Sequence, residues 1–102
     1  AEWQYVLRGN FNVTLFGSQG RWREETISTG DVAYIPQGFG HSIENLGSEK
    51  ARILIVFNSG HYQTINLSQW IAGNPTDILA TNFSQDPAVF EKFPRKDVFL
   101  TK

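Results

Sequence analysis

The stretch Gly30–Asn45, GDVAYIPQGFGHSIEN, limits most strongly what this chain can fold into. Asp31 to Ile35 is apolar and β-prone, Pro36-Gln37-Gly38 is suited to reversing the chain, and Gly40-His41 begins a return strand. A chain organised around such a strand–turn–strand unit is antiparallel β. His41 then stands at the mouth of a small β-structure, where a side chain can face inward and still reach a ligand.

The flanking sequence repeats the same design. Glu2 to Arg8 alternates, with Trp3, Tyr5 and Leu7 on one face and Glu2, Gln4, Val6 and Arg8 on the other. Gly9-Asn10 turns the chain, Phe11 to Phe16 alternates again, and Gly17 to Gly20 is a hairpin loop. Trp22 to Ser28 predicts a polar strand at a sheet edge. Arg52 to Phe57 is apolar on both faces, which predicts a strand buried in the middle of a sandwich or barrel. Tyr62 to Leu67 predicts one more strand.

From Ser68 the periodicity changes. Ser68 is placed to cap a short helix over Gln69 to Ala72, Asn74-Pro75 to open a second carrying Ile78, Leu79 and Phe83, and Asp86-Pro87 a third carrying Val89, Phe90 and Phe93. Val98 to Leu100 closes as an extended tail. The expectation is an all-β, closed or nearly closed antiparallel barrel over residues 1–67, without its N-terminal strands. A helical C-terminal appendage over 68–102 packs on the barrel or on a partner.

With 102 residues and a net charge of −1, the chain has room for one core and no second domain. Lys and Arg are scattered singly, which argues against a nucleic-acid surface, and no apolar run reaches the length of a membrane span. There is no cysteine, so neither a disulfide framework nor a thiol site is available. There is no methionine either, and the start Ala-Glu-Trp suggests a processed, cut or partial polypeptide. Three sequons, at Asn12, Asn66 and Asn82, tilt the expectation toward a secreted glycoprotein.

Gly30, Pro36, Gly38, His41 and Asn45 together reproduce, at every fixed position, the second motif of the cupin family, G-x5-P-x-G-x2-H-x3-N. Glu2 and Gly9 match the closing half of the first, germin-like motif, Glu-x6-Gly. The wider text, EWQYVLRG with NLSQWIAGNPTDILATNF, resembles one cupin domain of the bicupin oxalate decarboxylases. The resemblance implies a double-stranded β-helix, that is, a jelly-roll barrel with short C-terminal helices. It also implies a metal site of three histidines and a glutamate, in which Glu2 and His41 are two of the four ligands and the others form a His-x-His just before Ala1. Mn is the metal the resemblance implies, with Fe or Zn as alternatives, and a small carboxylate such as oxalate is the implied ligand. A second cupin domain or a second copy of the chain is the implied partner.

The residues carry a reading of their own. Glu2 and His41, on different strands, would converge inside a barrel to present one hard oxygen and one imidazole nitrogen, a mixed set that suits Mn, Fe or Zn. His61, in a Gly60-His61-Tyr62 turn, reads as surface. Trp3, Gln4, Val6, Ile43, Ile53, Ile55 and Phe57 are candidates to line the interior.

Decarboxylation by the route the family implies needs a carboxylic acid near the bound substrate to return a proton. One family position for it falls on Ile55, and the other lies in the segment 58–66, NSGHYQTIN, which has no Glu or Asp. Glu44 is the nearest remaining acid, and alternation points it away from the face of His41. No catalytic residue is assigned on this basis. Mn-dependent oxalate decarboxylase or oxidase activity stays open beside a non-catalytic cupin of seed-storage or structural type.

Overall fold

The computed structural model describes residues 1–63 and 65–95. The chain divides into a β unit, Ala1–Tyr62, and a second unit, Gln63–Lys102, that holds the helices. The β unit contains six strands: β1 (Glu2–Arg8), β2 (Asn10–Phe16), β3 (Trp22–Ser28), β4 (Val32–Ile35), β5 (Gly40–Asn45) and β6 (Arg52–Phe57). They form two three-stranded antiparallel sheets of order β4-β1-β6 and β3-β2-β5. The all-β expectation holds, with β3 at a sheet edge as its polar sequence predicts.

Two positions show why glycine is needed in the connections. Pro36 accepts a backbone hydrogen bond from Phe39 at 3.3 Å, and Gly38, third residue of that turn, has φ +84°. A positive φ at this place is what a type II turn demands. Gly9, between β1 and β2, has φ +102°, and a Cβ built there would lie 2.5 Å from the Cβ of Ala51. Both conformation and space exclude a side chain at Gly9.

The core lies between the sheets. Val6, Phe11, Val13, Ile27 and Ile35 are buried in one cluster, with Leu15, Ala33, Ile43, Ala51 and Ile53 packed against it. Every second residue of β2 contributes from Phe11 to Leu15, and β1 contributes Val6, as the two-residue period of a strand requires. The parity of β1 is set by Val6, which is fully buried; Gln4 and Glu2, two and four positions earlier, therefore share its inward face.

Several expectations need correction. Arg52–Phe57 is not a central strand: it is the edge of its sheet, and Leu54 and Val56 on its outer face are half-exposed. Its apolar outer residues are level with Tyr5 and Trp3 of β1, which are exposed on the same side. Trp3 consequently does not line the interior; parity places it outside, where its ring lies 4.6 Å from that of Tyr34. The strand expected over Tyr62–Leu67 is absent at the described residues, and Leu67 instead starts a helix.

The second unit contains α1 (Leu67–Ala72), α2 (Thr76–Phe83) and α3 (Pro87–Glu91). Helix α1 begins before the position expected, with Asn66 rather than Ser68 as N-cap. Asp86 caps α3 as its sequence predicts, accepting from the Ala88 N–H at 2.9 Å, with Pro87 as first helical residue. Leu79 and Phe90 are buried, and the Phe90 ring lies 5.6 Å from Phe83 and 5.2 Å from Phe93. The tail Val98 to Leu100 lies outside the described residues. Among the described residues no helix is long and apolar enough to cross a membrane.

Candidate metal centre

Glu2 opens β1 and His41 is the second residue of β5, so each stands near the end of a strand in a different sheet. Glu2 is level with Ile35 on one side and Phe57 on the other. His41 is level with Leu15, and Ile43, two residues on, packs against the core. Strand parity thus turns both polar side chains toward the space between the sheets. The two expected ligands are brought together: His41 Nε2 lies 3.1 Å from Glu2 Oε1, with the side chains 27% and 12% exposed.

Each group has a second partner. Phe39 O lies 3.3 Å from His41 Nδ1, and a carbonyl can only accept, so Nδ1 is the nitrogen that carries hydrogen in this contact. The Nε2 atom of a neutral His41 then directs a lone pair at the carboxylate of Glu2. Two electron-rich atoms facing each other at this distance require positive charge between them, either a proton on Nε2 or a cation. A histidine whose second nitrogen is engaged by a backbone carbonyl is the arrangement found behind metal-ligating imidazoles. Glu2 Oε1 accepts in addition from Gln4 Nε2 at 2.5 Å. A carboxylate so little exposed is costly unless bonded in this way.

The donor types therefore fit a divalent ion of the Mn, Fe or Zn kind. The number of donors does not complete a site: no group of three or more His, Cys, Asp or Glu side chains able to hold a metal occurs among the described residues, and a catalytic site ordinarily has at least three protein ligands. His61 is exposed, and its backbone N–H and carbonyl bond the hydroxyl of Ser59.

Ile55 is level with Gln4 across β1 and β6 and half-buried. Its side chain therefore belongs to the inward face that carries Glu2. Glu44 is level with Asn12, on the opposite face of β5 from His41. Asn45 shapes the loop after β5: its Oδ1 accepts from the Gly47 N–H at 3.0 Å and its Nδ2 donates to Glu49 O at 2.9 Å. The motif residue Asn45 is thus a loop organiser. Gln4 is the residue whose part the sequence left undefined. An amide at an inward position of a strand was the available signal, and only the hydrogen bond to Glu2 gives it meaning.

The sequence pattern of the family described as Cupin matches residues 1–89. A probable oxalate decarboxylase of Arthroderma benhamiae is 33% identical over 104 residues, which cover 98% of this chain and 26% of that protein. The structure of a Bacillus subtilis oxalate decarboxylase with Mn(II) centres superposes with a TM-score of 0.88 at 31% identity, over 95% of this chain and 26% of that one. The formate complex of Lactobacillus farciminis oxalate decarboxylase gives a TM-score of 0.86 at 35% identity, over 91% and 28%. The chain thus spans about a quarter of the length of these relatives.

Proposed function

The chain belongs to the cupin family, and we propose that it is a metal-binding domain related to oxalate-degrading enzymes, holding Mn and, through it, a small carboxylate such as oxalate. The observation that carries this reading is the contact of His41 Nε2 with Glu2 Oε1, with Phe39 O behind the imidazole. Mn stands first because a relative of closely similar fold has Mn(II) centres; Fe and Zn suit the same donors. Bound there, the ion supplies positive charge for an anionic ligand. On this reading Glu2 and His41 supply two of the donors to the ion.

The chain's own residues decide the fate of a bound carboxylate. With isoleucine at position 55, the inward wall beside Gln4 offers no carboxylic acid to return a proton to a decarboxylated carbon. Such a wall favours oxidation of the carboxylate by an external two-electron oxidant such as dioxygen, or binding without turnover. It also supports a second reading, a non-catalytic cupin of storage or structural type. Secretion, supported by the three sequons, and pairing with a second cupin domain or a second copy complete the proposal.

Elemental analysis of the native protein tests it. Stoichiometric Mn, lost in His41→Ala, supports the metal-binding reading. Native protein with no bound metal, and none taken up on incubation with Mn(II), overturns it and leaves the non-catalytic reading.

A further inference from the structure

Gln4 is fully buried, and its two amide atoms are treated very differently. Nε2 donates to Glu2 Oε1 at 2.5 Å. Oε1 is sealed from solvent and has no hydrogen-bond partner. The reverse orientation of the amide would set an oxygen against the carboxylate oxygen, so the hydrogen bond itself fixes which atom faces Glu2. A buried amide oxygen without a donor is destabilising, and such atoms are rare in folded proteins. The two terminal atoms of one planar amide are neighbours, so the orphan acceptor lies in the immediate surroundings of the Glu2 carboxylate.

The neighbours of Gln4 offer it nothing. It is level with Ala33 on β4 and Ile55 on β6, and Val6 comes next on the same inward face. Three apolar side chains flank one amide, a placement that a packing role alone would fill better with leucine or methionine. The amide is retained where it touches the candidate ligand and is short of one donor on its other side.

We propose that Gln4 is a positioning residue of the site: its N–H holds Glu2 in place, and its buried oxygen receives a hydroxyl donor. That donor is either an internal water or the acid O–H of a bound small carboxylic acid. The holding role rests on the metal-binding reading above; the orphan acceptor does not. Orienting partners of this kind typically change metal affinity by about 10–100-fold when removed.

The test uses Gln4→Met, which keeps length and apolar volume and removes both donor and acceptor, in the protein with its native N-terminus. Expected are a roughly tenfold or greater loss of Mn(II) affinity and an altered zero-field splitting in the Mn(II) EPR spectrum, with the thermal midpoint of the metal-free form unchanged or raised. Unchanged affinity and spectrum with a lowered midpoint would make Gln4 a packing residue and overturn the holding role. If the wild type takes up no Mn(II), the metal reading fails by itself. Gln4 is then judged on a crystal structure and on the exchange of its side-chain amide protons.

Expected in that structure is an oxygen about 2.8 Å from Gln4 Oε1, with slow exchange of Nε2–H. Crystals soaked in formic acid at acidic pH, where the acid keeps its O–H, separate the two sources, because a water stays in place and the acid hydroxyl replaces it. A protein donor found on Oε1, or an empty contact there, overturns the acceptor role. Should Gln4→Met fail to fold, the same two measurements on the wild type decide the question.

Discussion

His41 Nε2 stands 3.1 Å from Glu2 Oε1 although the two residues belong to different sheets and are joined by no common strand pair. The contact exists because β1 and β5 each begin near the same interior space with an inward parity, one set by Val6 and the other by Ile43. It brings an imidazole nitrogen onto a carboxylate oxygen with 12% of the Glu2 side chain exposed.

Removal of either candidate ligand is expected to abolish tight metal binding. Glu2→Gln and His41→Ala should each lower Mn(II) affinity by more than the roughly 10–100-fold typical of residues that only orient a ligand. Isothermal titration or EPR-detected Mn(II) titration of the native protein measures it. Retained affinity in both variants would remove these residues from the site.

Ile55→Glu places a carboxyl group on the inward face, level with Gln4. Burial of the acid should cost about 1–3 kcal/mol of stability, read by urea denaturation. In the Mn-loaded protein supplied with oxalate, formate should rise relative to the wild type. No gain in formate would mean that the missing acid is not what limits decarboxylation.

Val6 is fully buried at the centre of the sandwich. Val6→Ala removes two methyl groups from a packed interior and is expected to cost about 2–3 kcal/mol. A shift below about 0.5 kcal/mol in chemical denaturation would contradict the core assignment.

Two glycines with positive φ should respond differently to alanine. At Gly38 nothing lies within 4 Å of the added Cβ, so Gly38→Ala bears only the backbone penalty, about 1 kcal/mol. At Gly9 the new Cβ also meets Ala51 at 2.5 Å, and Gly9→Ala should cost at least about 2 kcal/mol. Equal thermal midpoints of the two variants would show that the Gly9 turn relaxes away from Ala51.

Much of the β unit is legible in the sequence because alternation is a local property. The pairs Val6 with Gln4 and Val13 with Phe11 announce their shared faces within a few residues. The turn at Pro36–Phe39 is equally local, since a proline and a glycine with positive φ specify it almost alone. The site was legible in part: Glu2 and His41 carry motif spacing, and their meeting agrees with it. Two readings failed for a common reason. Arg52–Phe57 and Trp3 are apolar enough for an interior, yet strand hydrophobicity does not say which face has a neighbour. The strand expected at Tyr62–Leu67 failed differently, because Leu67 continues into α1 and helix periodicity overrides a short apolar run.

The sequence by itself determined the six strands of the β unit, the turn that presents His41, the family and the absence of an acid at position 55. All of these rest on residue type and near-neighbour spacing. The tertiary structure decided that the imidazole of His41 faces Glu2, that Phe39 O backs that imidazole, and that Gln4 holds the carboxylate while keeping one buried acceptor open. The meeting of His41 with Glu2 joins residues from two sheets, and its geometry depends on how the sheets stack and on the parity each strand adopts. No local pattern encodes such distances, because they arise only when the core closes.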